Sequence, residues 1–451
     1  MLHSSLLIPS LLTLLFSGFS LGFASVPTGS HQVLPFVGSF QVHRFSLENG
    51  LKILIVEDHS SPTFAYQTWF DVGSRNETPG KTGLAHLFEH MMFKGTKKYK
   101  DDQFDKLLEQ AGVQGENAFT SRDFTVYVQE LPTKKLRLIA ELEADRMRNL
   151  IVDDHGFATE KGVVENERKF RNENNPEGIL DQHLYELAFT KHPYRWPIVG
   201  YEDDLKKMTS AEARDFYQTH YAPNHATLII SGDVDAEKTY HLIKDVYGEI
   251  PKGSDRPPVL VSEPKRETPK SKKLKLNVQV EKLFFAFPVP AFTHDDIPAL
   301  QVLQNILTAG RSSRLSRALV DGGIATSADA FDLESKDPGL FTFMISMQKG
   351  KTSEQAKAVL LREIERLKSH PVSAEELQRV RNKLAFEFFD SLASNSRKTG
   401  VLGSYETLTG DFQIGLKIRA RMQTVTAKDI QRVAKMYLNP KLGVSVTGVP
   451  K

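Results

Sequence analysis

His86 to Gly95 reads HLFEHMMFKG, and Gln301 to Gly310 reads QVLQNILTAG. Most apolar positions of the two stretches coincide, and both end on glycine. Gln301, Gln304 and Asn305 stand where His86, Glu89 and His90 stand. Further along, Ala158–Lys169 resembles Ala374–Ala385, which sets Lys383 opposite Glu167. Self-similarity within one chain is the mark of a repeated structural unit. Here one copy carries side chains fit for chemistry, and the other carries amides and a lysine in their place.

In a helix, residues four apart lie one above the other on the same face. His86 and His90 can therefore aim ring nitrogens at one metal ion about 2.0–2.1 Å away. Glu89 sits beside that face, near the ion without having to bind it. A carboxylate there can take a proton from metal-bound water, whose pKa zinc lowers to about 7. The pattern H-x-x-E-H is the reverse of the commoner H-E-x-x-H.

A catalytic zinc takes a third protein ligand and keeps a position open for water. Glu160–Arg168 (EKGVVENER) has helical periodicity, and Glu160 and Glu167 lie seven apart on one face. One would be the ligand and the other an acceptor that orients a ligating histidine. Spacing does not choose between them. The alternative is a charged helix face with ion pairs to Lys161 and Arg168.

Around these segments, Phe45–Glu57 reads as two strands about an Asn-Gly turn, and Thr63–Val72 as another. Thr82–Phe93 and Gln103–Ala111 read as helices, the second closed by Gly112. Phe124–Leu131 alternates as a strand, Lys134–Asn149 and Ala158–Arg171 are helical in pattern, and Ala226–Ser231 is a short apolar strand. Pro251–Lys273 is rich in Pro, Lys, Ser and Glu and reads as a linker. The expected organisation is a domain over 35–252 bearing the metal motif, a linker over 253–273 and a related domain over 274–451 without it.

A length of 451 residues exceeds one ordinary domain. The net charge of +2 and the lack of a basic run interleaved with aromatics argue against nucleic acid as partner. The chain has no cysteine, which excludes disulfides, thiolate metal sites and a cysteine nucleophile. Leu6–Phe23 is almost uninterruptedly apolar and is followed by Ala24 and Ser25. It reads as a signal peptide over 1–25, with export to a bacterial periplasm expected. An uncleaved membrane anchor is the alternative, since about 18 apolar residues can just span a bilayer. His155, His192, His220 and His225 fall in loops or turns and read as structural, although His192 could line a chamber.

These residues resemble the insulinase–pitrilysin family of zinc metallopeptidases, in its bacterial and mitochondrial-processing branch. The resemblance runs through LENGLKILIVED from Leu47, GLAHLFEHMMFKGT from Gly83 and ENAFTSRDFTVY from Glu116. It continues through EKGVVENERK from Glu160, HPYRWPIVGYEDDLKKMT from His192 and YAPNHATLIISGDV from Tyr221. It implies an α+β fold of two related domains, each with helices packed on a mainly antiparallel sheet, enclosing a chamber. It implies zinc held by His86, His90 and Glu167, with Glu89 as general base. The family's third ligand follows the second His by about 76–77 residues. Glu167 lies 77 after His90, and the residue before it is Asn166, which offers no carboxylate. Glu160 matches the family's supporting carboxylate. Asn117, Ala118 and Phe119 match a strand whose edge pairs with the substrate backbone, recognition by strand addition.

The implied activity is zinc-dependent endopeptidase action on peptides or unfolded polypeptides. The alternative is a non-catalytic peptide-binding or assembly subunit. Active members also carry an Arg and a Tyr in the second half. In an alignment on Gly323 these positions hold Leu319 and Thr326. The resemblance therefore implies a homodimer, or a heterodimer in which a paralogous subunit supplies the Arg/Tyr pair.

Overall fold

The computed structural model describes residues 30–100, 103–256, 258–331 and 333–451. The apolar stretch read as a signal peptide lies outside the described residues. The first sheet contains β1 His31–Pro35, β2 Gln41–Ser46, β3 Lys52–Glu57, β4 Thr63–Phe70, β5 Gln114–Thr120, β6 Thr125–Pro132 and β7 Ala226–Gly232. Their order is β1-β2-β3-β7-β4-β6-β5. The second contains β8 Lys270–Leu276, β9 Lys282–Val289, β10 Ala325–Phe331, β11 Gly339–Met347 and β12 Val444–Pro450, in the order β10-β11-β9-β12-β8.

The two orders are one pattern. In each half the last strand inserts between the first two of the repeat: β7 lies between β3 and β4, and β12 between β8 and β9. Each inserted strand runs parallel to one neighbour, β3 or β8, and antiparallel to the other. β1 and β2 extend the first sheet beyond the repeat. Helix pairs repeat as well. Leu84–Met91 packs on Asp154–Arg168, and Ile297–Thr308 packs on Ala374–Asp390. The expected α+β duplication is what the chain folds into.

The halves exchange helices. Pro176–Ala188, encoded in the first half, lays Leu180, Leu184 and Tyr185 on Phe284, Ala286, Val444 and Val446 of the second sheet. Asn395–Thr409, encoded in the second half, packs on β4 and β7 of the first sheet, with Leu402 among Leu54, Trp69 and Ile229. Burying each such leucine contributes about 1.5–3 kcal/mol. Polar contacts fix the second docking. Lys398 forms a buried ion pair with Asp58. Ser231 Oγ donates to Asn395 Oδ1 at 3.1 Å, and Gln67 Nε2 to Ser396 O at 3.1 Å. The carboxylate of Glu406 accepts from Arg44 at 3.3 Å and Lys52 at 3.0 Å.

Three sequence readings change. The first sheet starts at His31, before the expected boundary at 35. The linker stops at 269, because Lys270–Lys273 are already in β8. That strand, KSKKLKL, is a sheet edge, where lysines keep other chains from pairing, so it reads as linker. The rest of the segment is tied down. Glu263 accepts the backbone N–H groups of Thr190, Lys191 and His192 at 2.7–2.9 Å, and Arg266 donates to Leu442 O at 2.9 Å. Finally, the helix expected to Arg171 ends at Arg168 and widens into a π turn over Lys169–Glu173.

Candidate metal centre

The motif helix Leu84–Met91 begins after Gly83, which has no side chain to cap it. Glu77 does so from a preceding loop, accepting the N–H groups of Gly83 and Ala85 at 2.9 Å each. A carboxylate there satisfies orphan donors and complements the helix dipole. The ligand helix Asp154–Arg168 is capped by Asp153, which accepts Gly156 N at 2.7 Å. Its far end is held by Arg168, whose Nε donates to Gly200 O at 3.0 Å.

The two helices bring His86, His90 and Glu167 together, each offering one ligand atom within 4.8 Å of the others. Glu167 Oε2 lies 3.5 Å from His86 Nε2 and 3.1 Å from His90 Nε2. Tetrahedral zinc with bonds of about 2.0–2.1 Å separates neighbouring ligand atoms by about 3.3 Å. The two distances bracket that value, so the set fits the ion. Two imidazoles and one carboxylate are also the right donor types. Glu160 stands behind, its Oε2 3.5 Å from His90 Nδ1 and its Oε1 2.8 Å from Lys94 Nζ. That is where a carboxylate orienting a ligating histidine belongs. His86 Nδ1 is buried without a hydrogen bond.

Electrostatics follow the geometry. Burial pushes His86 down to about 4 and so keeps its ring neutral. Burial also opposes charge on His90, but Glu160 and Glu167 outweigh it and raise the ring to about 9. The bond to His90 leads in holding Glu167 down to about 2. Negative charge that favours a proton on His90 also favours a cation in the same place. Glu89 is different: burial pushes its carboxyl up, against a hydrogen bond from Thr120.

Asn117, Ala118 and Phe119 lie on β5, which is the sheet edge. One side of β5 pairs with β6, Ala118 opposite Tyr127, and a register shift between Gln114 and Asn117 bends it. Asn117 and Phe119 are exposed and Ala118 is buried, as alternation in a half-covered strand requires. β5 packs beside the motif helix.

Sequence reasoning missed Thr120, Lys94, Arg171 and Glu77. Arg171, on the π turn, pairs with Glu167 Oε1 at 2.7 Å. The i,i+4 spacing of Glu167 and Arg171 could have signalled that pair, whereas the contacts of Thr120, Lys94 and Glu77 join segments distant along the chain or set by a turn. His192 does not line a chamber. It is buried, 3.1 Å from Asp337 of the second half. The repeat site has lost its donors: Gln301 Nε2 donates to Glu334 Oε1 at 3.1 Å, and Lys383 pairs with Glu387 on its own helix.

Residues 52–201 match the family model described as Insulinase (Peptidase family M16), and residues 207–384 match the one described as Peptidase M16 inactive domain. The chain belongs to the insulinase family of peptidases. A zinc protease, PqqE, of Helicobacter pylori is 30% identical over 89% of this chain and 91% of that protein. A probable mitochondrial-processing peptidase subunit beta of Arabidopsis thaliana is 25% identical over 89% of this chain and 77% of that protein. The crystal structure of a protease from Helicobacter pylori superposes with a TM-score of 0.87 at 29% identity, covering 91% of this chain and 99% of that one. In this insulinase-family chain the second match crosses the linker, from 207 to 384.

Proposed function

We propose that this chain is a zinc-dependent endopeptidase acting on peptides or unfolded polypeptides. The observation that carries the reading is the convergence of His86, His90 and Glu167 next to Glu89 and a free sheet edge. Zinc bound there would activate water and polarise the scissile carbonyl. Glu89 takes the proton as the water attacks and gives it to the leaving amine nitrogen. Main-chain groups of Asn117–Phe119 hold the peptide backbone in register, and side-chain pockets choose among sequences. His86 stays neutral, as a ligand must, and Glu160 and Lys94 keep the His90 ring in place.

A second reading rests on Leu319 and Thr326. Leu319 is buried in the second core, and Thr326 Oγ1 donates to Ser346 O at 3.2 Å. Neither offers what an Arg/Tyr pair would, which supports a dimer with a partner that supplies it, or a non-catalytic assembly subunit. Export rests on Leu6–Phe23 and is tested by sequencing the mature N-terminus. No helix among the described residues is long and apolar enough to cross a membrane.

The deciding experiment is cleavage of a mixed peptide pool by the mature chain and by Glu89→Gln. Cleavage by the first and none by the second is expected. If neither cleaves, with or without a paralogous partner, the peptidase reading fails.

A further inference from the structure

We propose that Thr120 is a positioning residue for Glu89, and that through it the substrate-holding strand sets the orientation of the base. The inference rests on the peptidase reading above and deepens it. Thr120 is the final residue of the edge strand β5. Its Oγ1 donates to Glu89 Oε2 at 2.6 Å, the one hydrogen bond of that carboxylate among the described residues. Behind it, Thr125 Oγ1 lies 3.3 Å from Thr120 Oγ1 and 2.9 Å from Val72 O. Thr125 is fully buried, and Thr120 pairs with it where β5 turns into β6. The hydroxyl that touches the base is therefore anchored from the sheet, not from the motif helix.

A general base must exist in two states within one turnover, carboxylate and acid. A hydroxyl at Oε2 serves both, because that oxygen accepts its hydrogen bond whether or not Oε1 carries a proton. Bound to Oε2, it leaves Oε1 to take the proton and pass it on. The proton moves from water to Glu89 and then to the amine, while Thr120 keeps its own. A charge-assisted bond of this length also limits the rotamers of a long side chain. Adding a peptide strand to β5 would order Gln114–Thr120, and Thr120 would carry that order to Glu89. His90 has Glu160 behind it for that purpose. Glu89 projects beside the helix face and has Thr120.

The test compares Thr120→Val, which keeps the shape and loses the hydroxyl, with Thr120→Ser, which keeps the hydroxyl. Each full-length variant is assayed for zinc per chain, thermal midpoint, kcat and KM. Thr120→Val is expected to keep its zinc and its midpoint, to hold KM within about threefold and to lose roughly 10–100-fold in kcat, part of what a general base supplies. Thr120→Ser is expected to recover kcat to within about threefold. Unchanged kcat in Thr120→Val, equal defects in the Val and Ser variants, or loss of zinc would each overturn the proposal while leaving the peptidase reading standing. A wild-type chain that cleaves nothing overturns both.

Discussion

A Cβ built on Gly200 would stand 2.6 Å from Gly83 Cα and 2.3 Å from Thr82 O. Gly83 opens the motif helix, and Gly200 O takes the hydrogen bond of Arg168, next to Glu167. Both glycines have positive φ, +95° and +80°. Their contact links the two helices that carry the ligands. Gly200→Ala must move backbone against backbone, at a cost of about 1–3 kcal/mol for the conformation alone. A lower denaturation midpoint and less zinc per chain are expected, both read on the purified variant.

Lys398 and Asp58 form a buried ion pair between the exchanged helix and the first sheet. Removing one partner strands a charge, which costs about 3–5 kcal/mol. Lys398→Met should therefore lower stability far more than the double change Lys398→Met with Asp58→Leu. Chemical denaturation of the three proteins checks the order. Equal losses in single and double variants would mean that the stranded Asp58 carboxylate carries no penalty.

His220 supplies a pH dependence. Burial, and then Arg256, which donates to its Nδ1 at 3.4 Å, hold the ring down to about 3. An unfolded histidine titrates near 6.5. Between these values the unfolded chain binds a proton that the folded chain refuses, so stability falls as pH drops below about 6.5. The slope from this residue reaches about 1.4 kcal/mol per pH unit. His220→Gln should flatten the acid side of the wild-type stability profile, measured as the difference between the two proteins from pH 7 to pH 4.

Chelation should lower the thermal midpoint, and stoichiometric zinc should restore it. A metal present at about a thousand times its dissociation constant stabilises the folded state by about 4 kcal/mol. Glu167→Gln is expected to abolish this response and Glu89→Gln to preserve it, because Glu89 stands beside the ligand cluster and not in it. Calorimetry with and without metal separates the two variants.

The motif helix and most strands of the first sheet follow local rules of period and spacing, and these were legible, whereas the strands of the second sheet were not. Glu167 came from resemblance, since spacing alone left two carboxylates open. The helix exchange was hidden for a physical reason. Leu180, Leu184 and Tyr185 announce that Pro176–Ala188 buries one face, but an amphipathic pattern says nothing of which sheet receives it. The charged stretch after Pro251 looked like free linker because Glu263 and Arg266 act on backbone groups distant in sequence. Thr120 escaped notice because hydroxyls on strand ends are common, and only the fold sets this one against Glu89.

The exchange of helices also fixes an order of events during synthesis. Pro176–Ala188 leaves the ribosome before any strand of the sheet it will cover, and β4 and β7 wait for Asn395–Thr409. β12 must then thread between β9 and β8 before the second sheet is continuous. At about 5–20 residues per second, the nascent chain carries uncovered apolar faces for on the order of ten seconds or more. Neither half can finish folding on its own schedule, and a stalled chain lacking β12 would be a natural client for chaperones and proteases.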